Sequence, residues 1–188
     1  MYSASDLKKG LKIEIDGDPC VITNFEFSKP GKGQALYRCK IKNLISGNQF
    51  DKTYRSVEKV KRCSLMSKDY TFSYIDAGEY VFSDNETYEE VRLNDETMGD
   101  LKNFIVDDMQ VEILFHDDRA LDITLPNFVE MLIAETEPGA RGDTATNVMK
   151  PAKLENGYEI NVPIFINEGD TIRIDTRTGT YADRVSKG

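Results

Sequence analysis

The sequence predicts an all-β protein made of three small barrels that follow one another along the chain. Apolar and polar residues alternate with a period of two over most of the 188 residues, which is typical of half-buried strands. Only one stretch has a convincing helical pattern. The strands fall into three blocks of about 60 residues, two of which have the size of a five-stranded barrel. The predicted domains are residues 1–63, 64–126 and 127–188, with joints at the polar residues 61–64 and at Pro126.

The first block predicts a small, strongly bent antiparallel barrel or sandwich. Two short strands in KIEIDGDPCVITNFEF flank a hairpin turn at Asp16-Gly17. A turn at residues 46–48 precedes the strand QFDKTYRS. Between these lies LYRCKIKNL, in which alternate side chains form an apolar face and a basic face: Tyr37, Cys39 and Ile41 on the first, and Arg38, Lys40 and Lys42 on the second.

The second block predicts three strands, a short helix and a hairpin. DYTFSYIDAGEYVFSD contains two strands that turn at residues 76–78, and YEEVRLN contains the third. The helix, ETMGDLKNFIV, is capped by Asn94 or Asp95. The hairpin QVEILFHDDRALDITLP turns at Asp117-Asp118, and His116 beside that turn is expected to be a surface histidine.

The third block predicts four strands and one long loop. It begins with the strand FVEMLIAETEP and continues through the loop GARGDTATNVMKPA. Three short strands complete it: YEINVPIFI, TIRIDTRT and TYADRVS. No internal repeat relates this block to the other two.

The charged residues are segregated along the chain. The net charge is −9, but residues 1–63 carry 13 Lys and Arg against 7 Asp and Glu, a net of +6. Residues 64–126 carry 4 against 16, a net of −12, and residues 127–188 carry 7 against 10, a net of −3. This pattern predicts a protein that presents one end to a polyanion and keeps the middle, a solvated acidic face, away from it. The alternative is a set of solvated surfaces that differ by chance.

Composition argues against several classes of function. No run of about 18 apolar residues is present, so we expect no membrane span. The start of the chain lacks the apolar segment of a secretion signal, and we expect a cytoplasmic protein. The three cysteines have no metal-ligand spacing and are expected to be free thiols. A single histidine disfavours a zinc centre or a histidine-based triad, so no metal, cofactor or catalytic site is predicted.

Lys32 stands out because it lies between two glycines at a predicted hairpin tip. The strands CVITNFEF and ALYRCKIKNL flank the loop SKPGKGQA. Pro30 stiffens the entry to the loop, and Gly31 and Gly33 permit positive φ and close approach by a neighbouring molecule. Lys29 adds a second charge, so the segment predicts a cationic finger. The alternative is that glycine and lysine are simply common at exposed turns.

These motifs resemble those of the bacterial elongation factor P family. The resemblance rests on KPGKGQA, YRCKIKNLISG, PNFVEM, TEPGARGDTA and IRIDTRTGTYADRV, which occur in this order. It implies a KOW-like (SH3-like) N-terminal domain followed by two OB-fold domains, in an L-shaped arrangement similar to tRNA. It also implies a partner, the ribosome, bound between the E and P sites. There the factor would contact rRNA, the P-site peptidyl-tRNA and the E-site mRNA codon and relieve stalling at consecutive prolines.

The resemblance also assigns roles to particular residues. Lys32 would reach the acceptor end of the peptidyl-tRNA, carrying a β-lysyl group, as N6-(β-lysyl)lysine, added by a lysyl-tRNA-synthetase-like ligase. The loop with Gly142, Asp143 and Thr144 would contact the mRNA codon; alternatively, it is a structural Asx or Ser/Thr turn. Tyr181 and Arg184 are candidates for RNA stacking and pairing, or a half-buried aromatic residue and its solvated neighbour.

Two other classes of function are weaker. A single-stranded RNA-binding chaperone of the OB type would need a basic groove with stacking residues, whereas the two OB-like blocks are acidic. An enzyme using Lys32 or Asp143 as nucleophile or base would need partner residues, and none lie at a suitable spacing. The resemblance therefore implies a translation factor, which we expect to be monomeric and non-enzymatic.

Overall fold

The computed structural model describes residues 1–138 and 148–188 and is nearly all β. The predicted all-β class is confirmed. The described residues form sixteen strands: β1 (Tyr2–Ser3), β2 (Lys12–Ile15), β3 (Asp18–Ser28), β4 (Leu36–Asn43), β5 (Gln49–Arg55), β6 (Lys59–Arg62), β7 (Leu65–Asp76), β8 (Glu79–Asp84), β9 (Glu90–Leu93), β10 (Gln110–His116), β11 (Arg119–Thr124), β12 (Phe128–Thr136), β13 (Met149–Leu154), β14 (Glu159–Pro163), β15 (Thr171–Asp175) and β16 (Thr180–Ser186).

The first sheet has the strand order β1-β6-β2-β3-β4-β5, and its strands are antiparallel. The alternation in β4 places Cys39 and Ile41 in the core and leaves Arg38, Lys40 and Lys42 exposed, as the sequence predicts. The same core contains Ile13 and Ile22 and is closed by Tyr54 and Val60. Strand β1 and strand β6, which the sequence pattern did not reveal, pair with each other at the edge.

The second sheet has the order β11-β10-β7-β8-β9, and a short helical segment follows β9. The α-helix α1 spans Asp95–Met98, and the Asn94 side chain caps it by accepting a hydrogen bond from the Thr97 N–H at 2.8 Å. The sequence predicted a longer helix. Gly99, at φ 55° and ψ −140°, ends the α-helix, and the chain continues as a 3₁₀ helix from Gly99 to Phe104.

The third sheet has the order β14-β13-β12-β15-β16. Strand β13 corrects the sequence analysis, which assigned residues up to Ala152 to a loop. Pro151 lies in this strand opposite Asn161, and β12 pairs with β13 only from Ala152 onward. The missing N–H of Pro151 therefore falls where the strand has one neighbour, the position at which proline is tolerated in sheets. Strand β14 ends at Pro163, earlier than predicted.

By packing, the chain divides into two compact units. Residues 1–67 and 114–121 form one, and residues 68–113 and 122–188 form the other. The predicted domain boundaries after residues 63 and 126 stay a prediction. Among the helices of the described residues, none has the length and apolar character needed to cross a membrane.

Candidate nucleic-acid interface

Strands β3 and β4 form a hairpin arm that ends in residues 29–35. The two strands pair from Cys20 opposite Asn43 to Ser28 opposite Leu36. At the end of the arm, the Gly33 N–H donates to the Pro30 carbonyl oxygen at 3.1 Å, which closes a four-residue turn with Lys32 in its third position. Residues 29–34 are all exposed. The structure thus places Lys32 at the tip of the arm; its functional role stays a prediction.

The two glycines at the tip are not required by the backbone. Gly31 and Gly33 permit positive φ, but neither has a left-handed backbone. A Cβ atom on Gly31 would meet nothing within 4 Å, and one on Gly33 would lie 3.5 Å from the Pro30 ring, an ordinary contact. The free protein therefore gives no steric reason for glycine at either position.

The tip and the strand that follows it carry a run of positive charge. No ion pair in the described part of the chain includes Lys29 or Lys32. From Phe27 to Phe50 the sequence contains five Lys and Arg and no Asp or Glu. Both ammonium groups at the tip are therefore free to meet a phosphate or another acceptor outside the protein.

The basic face of β4, defined as Arg38, Lys40 and Lys42, is exposed. Its neighbours across the sheet moderate its charge: Glu26 lies opposite Arg38, and Asp51 lies opposite Lys40. Within residues 1–138 and 148–188, no carboxylate comes within ion-pair distance of the three cations. The donors of this face therefore stay available, although the two acidic residues beside it reduce its net charge.

The other side of the arm carries aromatic rings that the sequence analysis missed. Phe27 and Tyr37 are directly opposite each other in the β3–β4 register, with ring centroids 5.2 Å apart. Phe25 lies 6.2 Å from Tyr37. Phe27 is 55% exposed. The available signal was the alternation in NFEF, which places both phenylalanines on one side of β3.

Tyr181 and Arg184 lie on β16 and are both partly buried. Burial, with Asp183 nearby, raises the pKa of the Tyr181 hydroxyl. The Arg184 guanidinium lies 5.2 Å from the centre of the Phe165 ring and 3.6 Å from a carboxylate oxygen of the buried Asp170. Arg184 therefore has partners within its own domain, and an RNA contact by either residue stays a prediction.

Asp170 is held in its ionised form despite its burial. Burial acts to raise the pKa of this carboxyl, but hydrogen bonds from the backbone N–H groups of Asn167 and Gly188, with Arg184, bring it below its usual value. This arrangement ties the loop before β15 to β16. The predicted codon-contacting residues, Gly142, Asp143 and Thr144, lie outside the described residues.

His116 is buried, which corrects the expectation of a surface histidine. Its side chain is 6% exposed, with Nε2 3.8 Å from Glu14 Oε2 and Nδ1 3.9 Å from Asp117 Oδ2. Glu14 also accepts a hydrogen bond from Lys61 at 2.7 Å, and this bond is the main reason that the pKa of Glu14 is lowered. The turn pattern predicted exposure because it shows only local structure, whereas residues 114–121 pack with residues 1–67.

The described residues provide no arrangement typical of metal or thiol chemistry. No group of three or more His, Cys, Asp or Glu side chains among them is placed to hold a metal ion. The three cysteines are free, and burial raises the pKa of each thiol. A raised pKa favours the thiol over the nucleophilic thiolate at neutral pH.

Three protein-family models match consecutive parts of the chain. The Elongation factor P (EF-P) KOW-like domain matches residues 3–60. The Elongation factor P (EF-P) OB domain matches residues 65–123. The model described as Elongation factor P, C-terminal, matches residues 129–184. Together the three models cover most of the sequence, in the order KOW-like domain, OB domain and C-terminal domain.

Relatives of similar length extend this match. Elongation factor P of Syntrophus aciditrophicus (strain SB) is 51% identical over 185 residues, which cover 98% of this chain and 99% of the relative. Elongation factor P of Desulforapulum autotrophicum is 49% identical over 187 residues, which cover all of both chains.

Two solved structures are similar in fold. Eukaryotic translation initiation factor 5A from Methanococcus jannaschii aligns with a TM-score of 0.56 at 24% identity, covering 66% of this chain and 93% of that one. An eIF-5A family protein from Naegleria fowleri aligns with a TM-score of 0.52 at 17% identity, covering 66% and 96%. At these identities the likeness bears on the fold alone.

Proposed function

Because the chain belongs to the elongation factor P family, it is a translation elongation factor, and we propose how its parts act. In this proposal the protein binds the ribosome between the E and P sites and speeds peptide bond formation at consecutive prolines. It acts in the cytoplasm as a monomer, and it supplies no catalytic acid, base or cofactor.

The observation that carries the proposal is the placement of Lys32. It lies at the tip of an arm whose second strand has eight residues, a length of about 26 Å at the usual rise per residue. The tip has no intramolecular ion pair in the described residues, and residues 29–34 are all exposed. Such a group is placed to contact something outside the protein, and the end of the peptidyl-tRNA is our candidate.

Positioning alone accounts for the proposed effect. Proline reacts slowly because its ring constrains both the attacking nitrogen and the nascent chain. A factor that holds the peptidyl-tRNA in a reactive geometry lowers the barrier without joining the chemistry, and orientation contributes up to about 7–11 kcal/mol in favourable intramolecular reactions. A small part of that range is enough to relieve a stalled complex.

A modified Lys32 fits this role better than a bare one. We propose that a lysyl-tRNA-synthetase-like ligase acylates the Lys32 Nζ with β-lysine whose carboxyl it has activated. The new amide bond replaces the bond to the activating group, which leaves with one Nζ proton, and the product is N6-(β-lysyl)lysine. The primary amine at this position is exposed, so the ligase has access to it. The extension lengthens the side chain and retains donors that can bind the RNA backbone.

Further contacts with RNA complete the proposal. The basic face of β4 supplies electrostatic attraction to rRNA. The segment with Gly142, Asp143 and Thr144 contacts the E-site codon, where Asp143 can accept hydrogen bonds from base amino groups. Tyr181 provides a ring on which a base can stack. Arg184 provides hydrogen-bond donors to RNA from a guanidinium that Asp170 and Phe165 hold in place.

The experiment that tests the proposal separates binding from activity. Purified ribosomes stalled before a second proline are mixed with the wild-type protein or with Lys32→Ala, and both occupancy and the rate of the next peptide bond are measured. We expect Lys32→Ala to bind nearly as well as wild type but to lose most of the stimulation, on the order of tenfold to a hundredfold. Wild-type protein that binds and gives no stimulation would overturn the proposal.

A further inference from the structure

The arm has an aromatic surface that the proposed action of Lys32 does not use. Phe27 and Tyr37 face each other across the two strands, with ring planes tilted by 56° and centroids 5.2 Å apart. Tyr37 packs against the buried core of the first sheet, but Phe27 is not among the residues that do so. More than half of the Phe27 side chain is exposed near the end of the arm. Core packing therefore does not explain a phenylalanine at this position.

The Phe27 ring is also open, in contrast to two other exposed phenylalanines. Arg173 lies 5.1 Å from the centre of the Phe128 ring, and Arg184 lies 5.2 Å from that of Phe165. Across residues 1–138 and 148–188, no lysine or arginine is positioned over Phe27. Its free face is available to a flat partner from outside the protein.

The charge of the surroundings indicates what that partner is. Arg38, Lys40 and Lys42 lie on the opposite face of the arm. Lys29 and Lys32 follow Phe27 by two and five residues and have no ion pair in the described part of the chain, so an anionic partner is favoured at this end of the arm. Single-stranded nucleic acid combines a negative backbone with flat, stackable bases, and proteins bind it with cationic surfaces that carry exposed aromatic rings. A base is therefore a better match for Phe27 than an aliphatic protein surface.

We propose that Phe27 and Tyr37 form a stacking platform for an unpaired nucleotide at the 3′ end of the peptidyl-tRNA. This inference rests on the proposed function, which brings that RNA end to Lys32. Phe27 and Tyr37 are each five residues from Lys32, a separation of at most about 17 Å. Stacked nucleotides rise about 3.4 Å each, so an RNA end that reaches the tip has its last few unpaired nucleotides beside the platform.

The platform is a positioning element and takes no part in bond making. A base stacked on Phe27 holds the strand at a second point, some distance from the contact with Lys32. Two points of contact restrict the rotation of the RNA end, which one flexible lysine cannot do. Stacking is also tolerant of sequence because every base has a π face.

The test compares Phe27→Leu and Phe27→Trp with a matched control, Phe50→Leu. Leucine keeps apolar bulk and removes the aromatic face, and tryptophan keeps a stacking surface. Phe50 is 38% exposed and lies opposite Ile41, further from the tip. For each protein we measure thermal unfolding, the concentration for half-maximal stimulation and the maximal rate of proline–proline bond formation. We also measure 2′-hydroxyl acylation of the unpaired tRNA nucleotides, which reports their flexibility.

We expect Phe27→Leu to stay folded at the assay temperature, with an unfolding temperature lowered by a few degrees at most through loss of the ring pair with Tyr37. It should lose about fivefold to 150-fold in stimulation, the range for one stacked base. The tRNA 3′ end should be more flexible with Phe27→Leu than with the wild-type protein. Phe27→Trp and Phe50→Leu should resemble wild type in stimulation and in flexibility at the tRNA 3′ end.

Two results would overturn the platform. One is full activity of Phe27→Leu on ribosomes that wild type stimulates, which would leave the proposed function intact. The other is a change in flexibility at an rRNA nucleotide with none at the tRNA 3′ end, which would show that the platform contacts rRNA and not the peptidyl-tRNA. By contrast, wild-type protein that stimulates no proline–proline bond would remove the proposed function itself, and the platform with it.

Discussion

At the scale of single residues, the tip loop contains glycines whose small size is not used inside the protein. Gly31 has ordinary backbone angles and open space where a Cβ would be. Gly17, in the turn before β3, has φ 85°, a left-handed conformation that disfavours side chains. The turn glycine is needed for the fold, and we expect the tip glycine to be needed for what approaches the tip.

Gly31→Ala and Gly17→Ala should therefore have opposite effects. Alanine at position 31 should change the free energy of unfolding by no more than about 1 kcal/mol. Any change should be stabilising, because alanine reduces the conformational entropy of the unfolded chain. It should reduce stimulation of proline–proline bond formation, because the added methyl group faces the RNA. Alanine at position 17 should destabilise the fold by about 1–2 kcal/mol and retain activity at saturating factor. Urea unfolding measures the stability of each variant, and the rate of proline–proline bond formation measures its activity. Full activity of Gly31→Ala would show that nothing approaches the tip closely.

At the scale of secondary-structure elements, the sequence predicted what local alternation determines. The faces of β4 follow directly from its period of two, and the hairpin tip follows from proline and glycine between two alternating runs. These features needed no knowledge of the rest of the chain. For that reason the candidate site around Lys32 was largely predictable from the sequence.

The features that the sequence did not predict depend on tertiary packing or on single backbone angles. Strand β13 contains Pro151, and proline in a sequence usually indicates a loop. It fits in this strand because the pairing of β13 with β12 begins only at Ala152. The helix after β9 stops at Gly99 because of that residue's backbone conformation. His116 is buried by residues distant in sequence, of which Glu14 is the nearest charged group. Phe27 was overlooked because alternation does not tell an exposed ring from a buried one.

The basic face of β4 should contribute to affinity through its charge. Replacing Arg38, Lys40 and Lys42 together by glutamine should weaken ribosome binding and reduce the slope of log affinity against log salt by up to about 2–3, if each cation contacts one phosphate. The matched control removes three cations that are ion-paired elsewhere: Arg92, Lys102 and Lys153. Salt titrations of ribosome binding measure the effect. An unchanged slope in the first variant would show that this face makes no phosphate contacts.

At the scale of the whole molecule, the sign of the charge changes along the chain. The first 63 residues have a net charge of +6 and the next 63 a net of −12. A uniformly basic protein would bind RNA without selecting a site. Concentrating positive charge in the domain with the arm favours encounters in which that domain meets RNA first. In the proposed function, the basic face of β4 then contributes mainly to binding and Lys32 mainly to activity.

The central claim is that a chemically specific group at the tip, and not its charge alone, positions the peptidyl-tRNA. Lys32→Arg tests it most directly, because arginine keeps the positive charge but lacks the primary amine that the ligase would acylate. The measurement is the single-turnover rate of proline–proline bond formation at saturating factor, with wild type purified from cells that contain the ligase. We predict near-normal occupancy and a rate close to that without factor. A Lys32→Arg protein as fast as wild type would contradict the claim, since positive charge would then be sufficient.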